Sequence, residues 1–191
     1  MGLMNKIIME FDQVFWNDKA DGLGYVSSKF RGEFGFFLSL SHLVNRPVLM
    51  CFVAADFARV VETWSDEQTI ERVMEILRTI FGKNRAIPDP VNYSVSRWGS
   101  DPFARGSYSY MKVHATPEHL EDIARPVGRL HFAGEATAKY PGYTHGAYTS
   151  AKREVERILK RAAVEASAEW STGSGLPFQA PSLHAIPTSK L

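Results

Sequence analysis

Two neighbouring stretches decide how this chain is read: Arg129-Leu130-His131-Phe132-Ala133-Gly134-Glu135-Ala136-Thr137, then Tyr140-Pro141-Gly142-Tyr143-Thr144-His145-Gly146-Ala147-Tyr148. The first is a short apolar run ending in Gly-Glu, which predicts a strand over 129–133 that stops at a turn. Glycine there lets a ligand approach the backbone, and the Glu135 carboxylate can accept bonds from sugar hydroxyls. The second stretch opens a helix predicted over about 144–163. Its free N–H groups and positive dipole end suit negative charge. Strand, glycine turn and helix also close many α/β sheets, so on pattern alone Glu135 reads equally as a solvated turn residue.

Upstream, three apolar runs read as strands: Lys6–Phe11, Phe34–Leu40 and Val48–Val53, each bounded by Asp, Asn, Gly or Pro. The gaps between them are too short for helical crossovers, which predicts antiparallel pairing within a mixed sheet. A helix follows. Ser65 and Gln68 form a capping-box pattern, Ile70, Val73, Met74, Leu77 and Phe81 make one apolar stripe, and Gly82 ends it. Val91–Trp98 is a further expected strand. Thr116 with Pro117 marks the start of a short helix.

Composition bounds the function. The chain has 191 residues, 22 Lys+Arg against 21 Asp+Glu, and a single Cys. Near-zero net charge supplies no basic excess for binding nucleic acid. One cysteine cannot form an internal disulfide, and no apolar run approaches the roughly twenty residues that span a bilayer. The expectation is an intracellular chain with neither nucleic-acid nor membrane partner. No P-loop, nucleophile elbow or metal-ligand spacing occurs, so no metal is expected. Gly22-Leu23-Gly24 lacks the third glycine of a dinucleotide fingerprint and reads as a loop between strands.

Phe132-Ala133-Gly134-Glu135-Ala136-Thr137 followed by His145-Gly146-Ala147 resembles the C-terminal FAD-binding segment of flavin-dependent amine oxidases, the superfamily of polyamine oxidases, monoamine oxidases and lysine-specific histone demethylases. Two more segments match in the family's order. Met4-Asn5-Lys6-Ile7 through Phe11-Asp12-Gln13-Val14-Phe15-Trp16 resembles the strand that carries the family's lysine. Arg97-Trp98-Gly99-Ser100-Asp101-Pro102 with Gly106-Ser107-Tyr108-Ser109-Tyr110 resembles its Arg-Trp and Gly-Ser-Tyr-Ser-Tyr stretch. The likeness runs nearly continuously from Asn5 to Ile158.

The resemblance implies FAD as cofactor and hydride transfer from the carbon beside an amine nitrogen to the flavin, with O2 as the final acceptor. It implies that Lys6 holds a water near the flavin and assists the oxygen reaction, that Trp98 packs beside the flavin, and that Tyr108 and Tyr143 form the walls of an aromatic cage. Gly134, Glu135, Tyr143 and Thr144 would bind the cofactor. Two tyrosine faces attract a cationic amine and orient it, and a lysine beside a partly buried flavin stabilises developing negative charge. His145 reads as structural, since Gly146 and Ala147 mark close helix packing. The only cysteine, Cys51, lies outside the flavin segment, so attachment of FAD through sulfur there is not expected.

The fold class this implies is α/β (α+β): the mixed sheet of the amine oxidase substrate domain over 1–127, the strand–turn–helix of the FAD-binding domain over 128–165, and a disordered tail over 166–191. The family's Gly-rich N-terminal βαβ is not in the chain, so it reads as a C-terminal part that by itself binds FAD weakly or not at all, is inactive as an oxidase, and exposes apolar surface. The chain ends Ser189-Lys190-Leu191, which reads as an address for the peroxisomal import receptor. Together with Asp89–Pro102 this points to a peroxisomal polyamine oxidase. Residues 103–110, Phe-Ala-Arg-Gly-Ser-Tyr-Ser-Tyr, are very like the histone demethylases and point to a nuclear protein. A non-catalytic interaction module is the remaining alternative.

Overall fold

The computed structural model describes residues 1–171 and divides at His114/Ala115 into two compact units. The first is a five-stranded sheet in the order β2-β3-β4-β1-β5. Its strands are β1 Met4–Glu10, β2 Gly22–Gly24, β3 Phe36–Ser39, β4 Val48–Ala54 and β5 Asn92–Val95. Every pairing is antiparallel; the short connections favour this for β2–β3 and β3–β4, while β1 pairs with β4 and β5 across long stretches of chain. In β1, Asn5, Ile7 and Met9 are buried while Lys6 and Ile8 face the other way, so the alternation of the strand puts the lysine on the face opposite the core.

Helices α2 (Ala55–Val61) and α3 (Asp66–Phe81) contribute to the core formed with the inward side of the sheet. The capping box of α3 forms as the sequence predicts: Gln68 N donates to Ser65 Oγ at 3.1 Å and Ser65 N to Gln68 Oε1 at 2.9 Å. Ile70, Val73, Met74, Ile76 and Leu77 are buried against Phe37, Leu49, Cys51 and Val53 of the sheet. Burial pushes the Cys51 thiol pKa far up, which leaves it an unreactive core group.

Several elements differ from expectation. Gly22-Leu23-Gly24 is no loop but the short edge strand β2, paired with Phe36–Leu38. Helix α1 (Ser41–Val44) and helix α2 are additions; each is too short to show a periodicity in sequence.

In the second unit, helix α4 spans Pro117–Ile123, a single 3-10 turn Glu135–Thr137, and helix α5 Thr144–Ser171. Thr116 N donates to His119 Nδ1 at 3.0 Å, fixing the start of α4 where Thr116 and Pro117 predict it. Residues 129–133 are not a strand. Val127 and Leu130 close an isolated bridge, and 131–133 run on without a partner strand among the described residues. Extended backbone becomes a strand only when a neighbour completes its ladder. Helix α5 continues through Ser171, past its expected end near 163 and into the stretch expected to be tail from 166. Ser189-Lys190-Leu191 lies outside the described residues.

Candidate functional site

The first unit gathers three of the expected site residues around the start of β1. Lys6 N donates to Ser96 Oγ at 2.8 Å and Ser96 N to Lys6 O at 3.0 Å, so the chain that leaves β5 continues alongside β1 and delivers Trp98 two residues later. Trp98 O then accepts from Gly106 N at 2.8 Å. The returning segment ties back to the N-terminus: Ser107 N donates to Gly2 O at 2.8 Å, Gly2 N to Tyr108 O at 2.7 Å, and Met4 N to Ser107 Oγ at 2.8 Å. Main-chain and side-chain bonds together thus hold the segments that carry Trp98 and Tyr108 beside the strand end that carries Lys6. Lys6 itself lies on the open face of the sheet, opposite Phe52 in the β4 register, where Phe52 stacks with Phe36 at 6.1 Å.

Two residues that sequence reasoning missed hold this arrangement. Asn5 is fully buried; its Nδ2 donates to Glu62 Oε1 and its Oδ1 accepts from Trp98 N, both at 2.9 Å. Glu62 also accepts from Gly99 N and Ser100 Oγ, each at 2.7 Å. Burial works to raise the Glu62 pKa, but the bonds from Asn5, Ser100 and Gly99 outweigh it and hold the carboxyl below its usual range. The signal available in sequence was an asparagine at a core-facing position of an otherwise apolar strand face.

The second unit places Gly134, Glu135, Tyr143 and Thr144 around the loop that leads into α5. Gly134 sits at φ 136°, and a Cβ built there meets nothing within 4 Å. The loop backbone is therefore open to an approaching group, in a conformation only glycine adopts readily. Glu135 Oε1 accepts from Gly142 N at 3.0 Å, so this carboxylate braces the loop. Tyr143 is 60% exposed and stacks with His145, ring centroids 5.2 Å apart, and Thr144 opens the 28-residue helix. At Gly146 an added Cβ would lie 2.9 Å from Ala138 Cβ, the close packing that its sequence context suggests.

The turn is pinned to α5 by charge. Glu154, a buried carboxylate, takes Arg153 Nε at 2.6 Å, Arg157 Nη1 at 2.7 Å and His131 Nδ1 at 2.9 Å. The arginines reach on to carbonyls: Arg153 to Thr137 O at 2.6 Å and Phe132 O at 3.0 Å, and Arg157 to Ala124 O at 2.9 Å. Gly134 N donates to Ser150 Oγ at 2.9 Å.

These features suit a flavin: an open glycine backbone, a long helix whose N-terminus presents positive potential, and an aromatic ring at that terminus. Residues 1–159 match the family model for flavin containing amine oxidoreductases. The chain is 42% identical over 172 residues to "Lysine-specific histone demethylase 1 homolog 1" of Arabidopsis thaliana, covering 87% of this chain and 20% of that protein. It is 38% identical over 173 residues to "Histone demethylase-like protein A" of Aspergillus fumigatus, covering 83% of this chain and 16% of that protein. "Lysine-specific histone demethylase 1 homolog 3" of Oryza sativa subsp. indica is 38% identical over 172 residues, 87% of this chain and 21% of that protein. The chain belongs to the flavin-containing amine oxidoreductase family, whose cofactor is FAD, and it spans about a fifth of the length of the curated relatives it matches.

Proposed function

We propose that the chain is the C-terminal part of an FAD-dependent oxidase that acts on methylated lysine side chains of a histone-tail type of peptide in the nucleus. The observation that carries this reading is the likeness, over 87% and 83% of this chain, to proteins named as histone demethylases. FAD, when bound, accepts two electrons as hydride from the carbon beside the amine nitrogen and returns them to O2 as H2O2. The residues of this chain do the rest. Tyr108 and Tyr143 orient the amine, Trp98 flanks the ring, Lys6 positions water and stabilises negative charge, and the loop from Gly134 to Thr144 takes the cofactor. Oxidising the N-methyl carbon gives an iminium that water converts to formaldehyde and the shortened amine.

A second reading, a peroxisomal polyamine oxidase, is favoured by one observation, the terminal Ser189-Lys190-Leu191. Two measurements separate them. The full-length, flavin-loaded oxidase of which this chain is proposed to be a part is offered a dimethyl-lysine peptide and, in parallel, spermine, with H2O2 followed by a peroxidase couple. Turnover of the peptide alone is expected; turnover of spermine alone overturns the first reading in favour of the second. A fluorescent protein fused ahead of the chain is expected in the nucleus, and peroxisomal puncta would point the other way.

A further inference from the structure

Trp98 is 42% exposed, so core packing does not fix its indole. What fixes the residue is its own peptide. Its N–H is held by the buried Asn5 at 2.9 Å, its C=O by Gly106 at 2.8 Å, and the next N–H, that of Gly99, by Glu62 at 2.7 Å. Asn5 and Glu62 are themselves joined at 2.9 Å across 57 residues of sequence.

The placing of Glu62 is locally unfavourable. It is the C-cap of α2, where a carboxylate meets the negative end of the helix dipole. Helix ends favour cations there, so the carboxylate answers to the loop it binds and not to the helix. Gly99 fits the same account: a Cβ on it would sit 2.6 Å from Glu62 Oε2, so any larger residue pushes the carboxylate off its donors.

We propose that Asn5 and Glu62 are positioning residues, a buried amide–carboxylate clamp that holds the peptide of Trp98 against β1 and so keeps its exposed indole in register with the neighbouring Lys6. The clamp works because β1 alternates: Asn5 points into the core and grips Trp98 from below, while Lys6, one residue on, emerges on the open face. The clamp thus ties the residue read as the flavin's neighbour to the strand that carries Lys6. The functional meaning of this clamp rests on the reading of Trp98 as the flavin's neighbour.

The test uses the full chain labelled with 5-fluorotryptophan and read by fluorine NMR, with no flavin, so that failure of the oxidase reading and failure of the clamp are told apart. Of the four tryptophans, Trp98 is assigned by its loss in Trp98→Phe, while Trp16 and Trp64 report on the core. Glu62→Ala and Asn5→Ala are expected to move or split the Trp98 line and leave those of Trp16 and Trp64 in place. Glu62→Gln, which keeps an acceptor oxygen for Asn5 and Gly99, is expected to restore a single line. Amide exchange at Trp98 and Gly99 should speed by about tenfold or more in the alanine variants, with Ile7 and Met9 unchanged. A Trp98 line that stays put in both variants overturns the proposal, as does a shift of all lines together. Should either alanine variant unfold, Ser100→Ala, which removes only one hydroxyl, must move the Trp98 line alone or the proposal falls.

Discussion

Glu33 and Glu154 are both buried carboxylates gripped by arginine, one in each unit, and what surrounds them differs. Glu33 takes Arg72 Nε at 2.8 Å at the margin of an apolar core that runs from Leu3 to Ile87 and includes Phe11, Phe37, Leu49 and Leu77. Around Glu154 the buried residues are small or polar: Ala124, Thr137, Ala138 and Ser150. Leu130, Tyr148, Val155 and Leu159 of that unit are more than half exposed, and Phe132 and Ile158 are 40% and 47% exposed. One unit is held by area removed from water with an ion pair at its edge; the other is held by an ion cluster with its apolar groups outside. Packing gives a rigid sheet on which β1 can carry Lys6, whereas the second unit is joined through bonds that depend on charge.

The largest effect should come from opening the packed core. Phe37→Ala is expected to cost about 4 kcal/mol, read as a lower urea midpoint of Trp16 fluorescence. Equal loss from any comparably buried residue of the second unit would break the contrast.

Next is the ion cluster itself. Glu154→Ala leaves two guanidinium groups without their carboxylate and is expected to cost about 3 kcal/mol, reduced where Arg157 reaches solvent. Limited proteolysis should then cut within 128–143 while the sheet stays protected.

Acid offers the same test without mutation. Burial works to raise the Glu154 pKa, but the bonds from Arg153 and His131 and the nearby charge of Arg157 lower it below its ordinary 4.5. Its folded pKa is therefore depressed: the stability it contributes is complete above the unfolded pKa and is lost as pH falls through the folded one. Glu33 is lowered in the same sense by Arg72 and Ser27 against its burial, yet it has an apolar core behind it. Amides of 131–154 are expected to lose exchange protection at a higher pH than those of β1 and β4, and the reverse order would refute the comparison.

Smaller still, Ser65→Ala removes the acceptor for Gln68 N and should cost about 1 kcal/mol, confined to unfolding of the first unit. Smallest is Ile158→Lys with Leu159→Lys, two exposed positions of α5, expected to change stability by less than about 0.5 kcal/mol while raising solubility.

How much was legible beforehand follows from how local each signal is. The capping box and stripe of α3 need only neighbours along the chain, and they formed over Asp66–Phe81 as expected. Helix α2 follows β4 without a loop, with Ala55 at φ 55° and no side-chain cap, so its start carries none of the usual marks. The run 129–133 shows the opposite failure: its residues suit a strand, but no partner strand stands beside it among the described residues. At the site, Lys6, Trp98, Tyr108 and Tyr143 could be named from motif resemblance, while Asn5, though inside a matching stretch, drew no role from it and Glu62 lay in no motif.

By itself the sequence determined family, cofactor class and the elements whose signals repeat within one or two turns, because residue type and short-range spacing fix those directly. Only the tertiary structure decided which backbone groups hold Trp98, that α5 is tied down through Glu154, and that Lys6 stands on the open face of the sheet. Those outcomes join residues far apart in the chain, through hydrogen bonds whose geometry exists only once the strands have paired.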